Sequence, residues 1–110
     1  MPVSVQTRSP LYADLIPEGI HEAQLVEVQA FTNAFGDRIG LVFEITTGSH
    51  QGLRLMDSAA PKPQGKLADL LRGLGGTDAR SLIGCACKIA VRHETNKTGK
   101  TYAGITHTFR

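Results

Sequence analysis

At 110 residues the chain has room for one domain with a modest core, and its 41% hydrophobic and 20% charged residues are ordinary for a globular protein. No apolar run approaches the roughly 20 residues that span a bilayer, and no basic-then-apolar leader opens the sequence, so no membrane partner and a cytoplasmic location are expected. The formal net charge of +2 selects no partner by itself, but it is unevenly spread: residues 11–57 hold seven acids against Arg38 and Arg54, a balance of −5, while residues 85–110 hold five bases against Glu94, a balance of +4.

Residues 1–16 have no clear period and are punctuated by Pro2 and Pro10, with Pro17 following. They read as an extended N-terminal arm in which Leu11, Leu15 or Ile16 can pack on a single domain spanning residues 17–110. Gly19 to Phe31 reads as a long strand with a break in its alternation. His21, Ala23 and Leu25 share one face, whereas Val26, Val28 and Ala30 share the other. A bulge near Leu25–Val26, or a strand that bends between two neighbours, reconciles the two halves. Asn33-Ala-Phe-Gly36 is a turn, and Ile39, Leu41, Phe43 and Ile45 then alternate as the core face of a second strand. Thr47 to Gly52 is a further turn, and Leu53 and Leu55 begin a third strand. After a Pro-rich loop over residues 60–65, Leu67, Leu70, Leu71 and Leu74 fall at helical spacing. Gly75-Gly76 ends that helix where a left-handed residue is wanted, and Asp78 caps a last short turn.

The C-terminal quarter is a hairpin. Cys85, Cys87, Ile89 and Val91 are small or apolar at every second position, as are Ala103, Ile105 and Phe109, with His107 interrupting them. Between them Asn96-Lys-Thr-Gly99 suits a type I turn completed by a left-handed glycine, a three-residue loop with a bulge. With Asn96 opposite Lys100, Val91 faces Ile105 and Ile89 faces His107. A two-residue loop would instead put apolar residues on both faces. The outward face then carries Lys88, Arg92, Glu94 and Tyr102, with Lys97 and Lys100 at the tip. Cys85 and Cys87, two apart on a strand, make poor disulfide geometry and read as small core residues.

The order strand, strand, strand, helix, strand, strand, with a long bent first strand, is that of a mainly β, five-stranded OB-fold-like barrel with one helix between strands 3 and 4. A small helix-covered sandwich has the same order. The sequence also resembles phage-type single-stranded-DNA-binding proteins with an OB-fold. The resemblance rests on Pro17-Glu-Gly19 leading into His21-x-Ala-x-Leu25, on Leu41-Val-Phe-Glu-Ile45 leading into the Gly52 turn, on the leucine helix, and on Leu82-Ile-Gly84 entering a polar-tipped hairpin. It implies a non-enzymatic, largely sequence-independent binder of single-stranded DNA in replication, recombination or repair, of phage or mobile-element type. It also implies replication or recombination proteins as partners, while the strand edges and the N-terminal arm offer a second copy of the chain a place to join by strand addition.

Binding a single strand requires cations that track phosphates and aromatic faces on which bases stack. The phosphate candidates are Lys88, Arg92, Lys97, Lys100, Arg38 and Arg54. The stacking candidates are Tyr102, on the outward face of the hairpin, and Phe35, at the tip of the first turn; Phe43 and Phe109 fall on core faces. Other chemistry is poorly supported. Thr98-Gly-Lys-Thr101 resembles the end of a P-loop, but the first glycine of that motif would fall at Glu94, in a hairpin rather than between strand and helix. His93 with Cys85 or Cys87 lacks an orienting third group, the carboxylates are scattered, and no second cysteine pair supplies metal ligands. No cofactor, metal or catalytic residue is expected. The other class of reading is a small β-barrel adaptor or inhibitor that binds a protein, because the acidic first half would repel DNA if it lined the groove.

Overall fold

The computed structural model describes residues 16–110 apart from 35, 63, 96 and 100. Among the described residues there are five strands, β1 (Gly19–Asn33), β2 (Gly36–Ile45), β3 (Arg54–Ala59), β4 (Ala86–Thr95) and β5 (Thr101–Phe109), and one α-helix, α1 (Lys66–Gly73), which lies between β3 and β4 in the sequence. All pairings are antiparallel, in a single sheet of order β3-β2-β1-β4-β5. The 15-residue β1 organises this sheet because it serves two neighbours at once: Ala23 lies opposite both Ile45 of β2 and Cys87 of β4.

Of the two expected ways to reconcile the faces of β1, the bulge is present. The register with β2 shifts between Leu25 and Glu27, leaving Val26 unopposed. Odd-numbered Ala23 and Leu25 and even-numbered Val28 therefore all reach the core. Ile16, Leu41, Phe43, Ile45, Ile89, Val91 and Ile105 complete the interior, and α1 covers one end of it with Leu67, Leu70, Leu71 and Leu74. Burial of each such large aliphatic side chain stabilises the fold by about 1.5–3 kcal/mol. Gly75, at φ 92°, closes α1 as expected: its N–H donates to the Arg72 carbonyl and that of Gly76 to the Leu71 carbonyl, the two bonds of a Schellman cap. Arg110 adds a third donor, from Nη1 to the Leu74 carbonyl at 2.8 Å. Ile16, the end of the expected arm, is fully buried; the rest of that arm, residues 1–15, lies outside the described residues.

The hairpin keeps the expected register near its tip, with Thr95 opposite Thr101 and Val91 opposite Ile105. Gly99 has the left-handed φ of 87° that the loop requires. Below Val91 the expectation fails, because Thr106 is an extra residue in β5 and the next pairs are Ala90–His107 and Ile89–Thr108. One inserted residue exchanges the faces. His107 and Phe109, expected to face inward, lie outside with rings stacked at 6.3 Å, and Thr108 is buried in their place. Its hydroxyl would be costly to bury alone; it donates to the Leu70 carbonyl of α1 at 2.5 Å.

A closed five-stranded barrel is not formed. β3 and β5 are the two ends of the sheet, and no backbone ladder joins them. β3 is only six residues long, and where it approaches β5 the inward-facing Asp57 side chain stands in for a backbone carbonyl: its Oδ2 accepts the Ile105 N–H at 2.7 Å. The same oxygen is 2.8 Å from Lys66 Nζ at the start of α1, and the Asp57 side chain is 11% exposed. Strand, strand and helix thus meet on one carboxylate.

Candidate nucleic-acid interface

A cleft of about 880 Å³ opens beside this joint, between β3, the loop that follows it and β5. Arg38, Met56, Ser58, Lys62, Lys66 and Tyr102 are among the residues that line it. Each arrives by a separate route. Arg38 faces outward at the turn end of β2, opposite Phe31, and is held by Nη2 donating to the Ser58 carbonyl at 2.9 Å. Its Nε is buried without a hydrogen-bond partner among the described residues. Met56, two residues before Ser58, lies over Gly40 of β2, where a Cβ would come within 2.8 Å of its sulfur. The absence of that Cβ lets the thioether reach the cleft wall.

Tyr102 comes from the far side, on the outward face of β5 next to Glu94, to which its hydroxyl donates at 3.1 Å. Burial, that hydrogen bond and the nearby carboxylate charges of Glu94 and Asp57 raise its pKa, so the phenol stays neutral and its ring, 41% exposed, remains an uncharged face. Lys62 is exposed in the loop and in no ion pair among the described residues. Counting Arg38, Lys62 and Lys66 against Asp57 gives the lining a balance of +2, with one aromatic ring and one thioether beside it.

Of the residues expected from sequence to meet nucleic acid, Arg38 and Tyr102 line this cleft. Arg54 does not; its Nε is 3.0 Å from Glu44 Oε1 in a cross-strand ion pair. Lys88 and Arg92 project from the outward face of β4, and Lys97 is exposed at the hairpin tip. Phe35 and Lys100 lie outside the described residues. Sequence reasoning missed Lys62, Lys66 and Met56. Two lysines four apart, one in the Pro-rich loop and one opening the helix, were the available signal.

The remaining reactive groups have structural uses. His93 Nε2 donates to the Ile16 carbonyl at 2.9 Å and its backbone N–H to Glu18 at 2.8 Å, tying the entry of the chain to β4. His21 Nε2 donates to the Pro17 carbonyl at 2.7 Å. Burial first, and then the neighbouring Cys85, push the Cys87 thiol up to about 12, which keeps it a neutral core group. Among the described residues no three His, Cys, Asp or Glu side chains gather as metal ligands, and no helix is long and apolar enough to cross a membrane. No protein-family model matches the chain, and no curated protein matches it either.

Proposed function

We propose that this chain is a non-enzymatic, largely sequence-independent single-stranded-DNA-binding protein of the OB-fold type, acting in replication, recombination or repair. In this reading the sheet is an open variant of that fold, in which β3 and β5 meet through the Asp57 side chain and no backbone ladder joins them. The strand order, the bulged β1 shared by two neighbours and the helix between β3 and β4 support that assignment. The observation that carries the function is the cleft itself, where Arg38, Lys62 and Lys66 stand beside the exposed ring of Tyr102. Cations that follow a phosphate chain, interleaved with a face on which a base can stack, are what an unpaired strand requires and a duplex does not.

Fluorescence anisotropy with a labelled oligothymidine, a hairpin duplex and an RNA of the same length tests the reading. Affinity for the single strand should exceed that for duplex and fall as salt rises. Three neutralised phosphates correspond to a log–log slope of about −2, at about −0.7 each. Equal affinity for duplex, or no binding at low salt, would discard this function in favour of a protein-binding adaptor.

A further inference from the structure

We infer that the groove between α1 and the Pro-rich loop is a docking site for an acidic, apolar peptide segment of a partner protein. It is distinct from the cleft beside Asp57 and stands whether or not that cleft binds nucleic acid. The groove has a volume of about 610 Å³, inside the range of about 300–1,000 Å³ usual for ligand sites. Its floor is apolar, made of Ala68 and the edges of Leu67 and Leu71, whose bodies belong to the core. Leu67 and Leu71 are one helical turn apart, so this floor is about 6 Å long, room for one bulky side chain. Pro61 forms the loop side, and the loop is held tight there by the Lys62 N–H donating to the Ala60 carbonyl at 2.8 Å. At the far end stand Gly76 and Thr77, placed by the Schellman cap that ends α1. Walls fixed in advance lower the ordering cost of binding.

Charge selects the occupant. Lys62 stands on the loop side of the groove and Arg72 on the helix side, and no acid lines it among the described residues. Lys62 belongs to no ion pair among the described residues. Arg72 Nη2 donates to Asp69 Oδ1 on the same helix, but the two side chains are 69% and 68% exposed, and a pair so open to water holds its guanidinium weakly. The lining carries a balance of +2, or +1 with Asp69 counted, around an aliphatic floor. A nucleic-acid strand gains nothing from that floor, because bases stack on rings and no aromatic side chain lines it among the described residues. A bulky apolar side chain flanked by carboxylates answers both features together. The side chain covers Ala68 and the leucine edges, while acids on either side of it reach Lys62 and Arg72.

Fluorescence anisotropy of a fluorescein-labelled Glu-Asp-Asp-Leu-Phe-Asp-Glu peptide tests the groove, with circular dichroism to confirm that each variant folds. The parent chain should bind this peptide saturably. A control with serine for Leu and Phe, and another with lysine for every acid, should each bind at least about tenfold more weakly. Lys62→Glu and Arg72→Glu should each weaken the peptide at least about tenfold, because carboxylate then meets carboxylate. Ala68→Gln sets a polar side chain on the floor and keeps a good helix former, so it should cost as much without any change of charge. Arg72 and Ala68 line the groove and not the cleft, so their variants should leave oligothymidine affinity within about threefold of the parent. Absence of saturable peptide binding overturns the docking site, as does equal binding of the serine control. Peptide binding that ignores Ala68→Gln overturns it too. Loss of oligothymidine affinity in Arg72→Glu and Ala68→Gln, with no peptide bound by the parent, would assign the groove to nucleic acid instead.

Discussion

The Oδ2 of Asp57 in β3 and the backbone nitrogen of Ile105 in β5 lie 2.7 Å apart, so a single carboxylate joins the two strands that end the sheet. Asp57→Ala leaves the part-buried Ile105 N–H without its acceptor, and the unfolding free energy in urea should fall by about 1–3 kcal/mol. Lys66→Ala removes only an exposed arm of the same cluster and should cost less than about 1 kcal/mol. Asp57→Asn, which keeps an acceptor, should fall between them. Equal, small losses for Asp57→Ala and Lys66→Ala would show that the joint adds nothing to stability.

Gly73, the last residue of α1, packs against Thr108, and a Cβ there would overlap both the carbonyl and the hydroxyl oxygen of that residue. At an exposed helical position, replacing glycine by alanine gains about 1 kcal/mol. Here the sign should reverse, with a loss of about 1–3 kcal/mol as helix and β5 are forced apart. Thermal melting of Gly73→Ala against the parent measures it, and a raised melting temperature would refute the close approach.

In the cleft, Tyr102→Ala should weaken oligothymidine binding by about 1–3 kcal/mol with little change in salt slope, because stacking releases no ions. Tyr102→Phe keeps the ring and loses only the bond to Glu94, so its affinity should stay near that of the parent. Lys62→Ala should do the opposite of Tyr102→Ala, making the slope shallower by about 0.7. Anisotropy titrations at four salt concentrations separate the two, and unaltered binding in both alanine variants would move the nucleic-acid site elsewhere.

Cys87 gives the fold an alkaline limit. Its thiol pKa is raised from 9.0 to about 12 in the folded chain, so the unfolded chain releases this proton first as pH rises. The stabilisation is complete below about pH 9 and is lost progressively as pH rises toward about 12. Stability measured across that window should decline more steeply for the parent than for Cys87→Ala. Parallel declines would mean that the thiol ionises in the native state.

Much of the fold is legible because its signals are local. The clash of two apolar faces in β1 announces a bulge or a bend, the leucine spacing announces α1, and Gly75 and Gly99 mark positions where positive φ is required. The bulge at Thr106 carries no such mark, having neither a glycine nor a doubled apolar face. Continuing the period-two pattern from Ile105 through His107 to Phe109 therefore places both one residue out of phase. Arg38 and Tyr102 were recognisable as residue types suited to a strand of nucleic acid. That they share a cleft with Lys62 and Lys66 depends on how the sheet coils until β3 approaches β5, a relation between residues some 40 or more apart that no local pattern encodes. Asp57 counted only as one more acid, since nothing in Met56-Asp-Ser58 distinguishes a carboxylate turned inward from one in water.

The amide that Asp57 holds points away from β4, so its exchange with solvent deuterium answers a different question from that of its neighbours in the ladder. Backbone hydrogens shared between β4 and β5 are released when the hairpin itself opens, whereas that of Ile105 is released whenever β3 and β5 drift apart, even with every ladder intact. One nuclear resonance thus reports the breathing of the seam beside the cleft, separately from the unfolding of the chain.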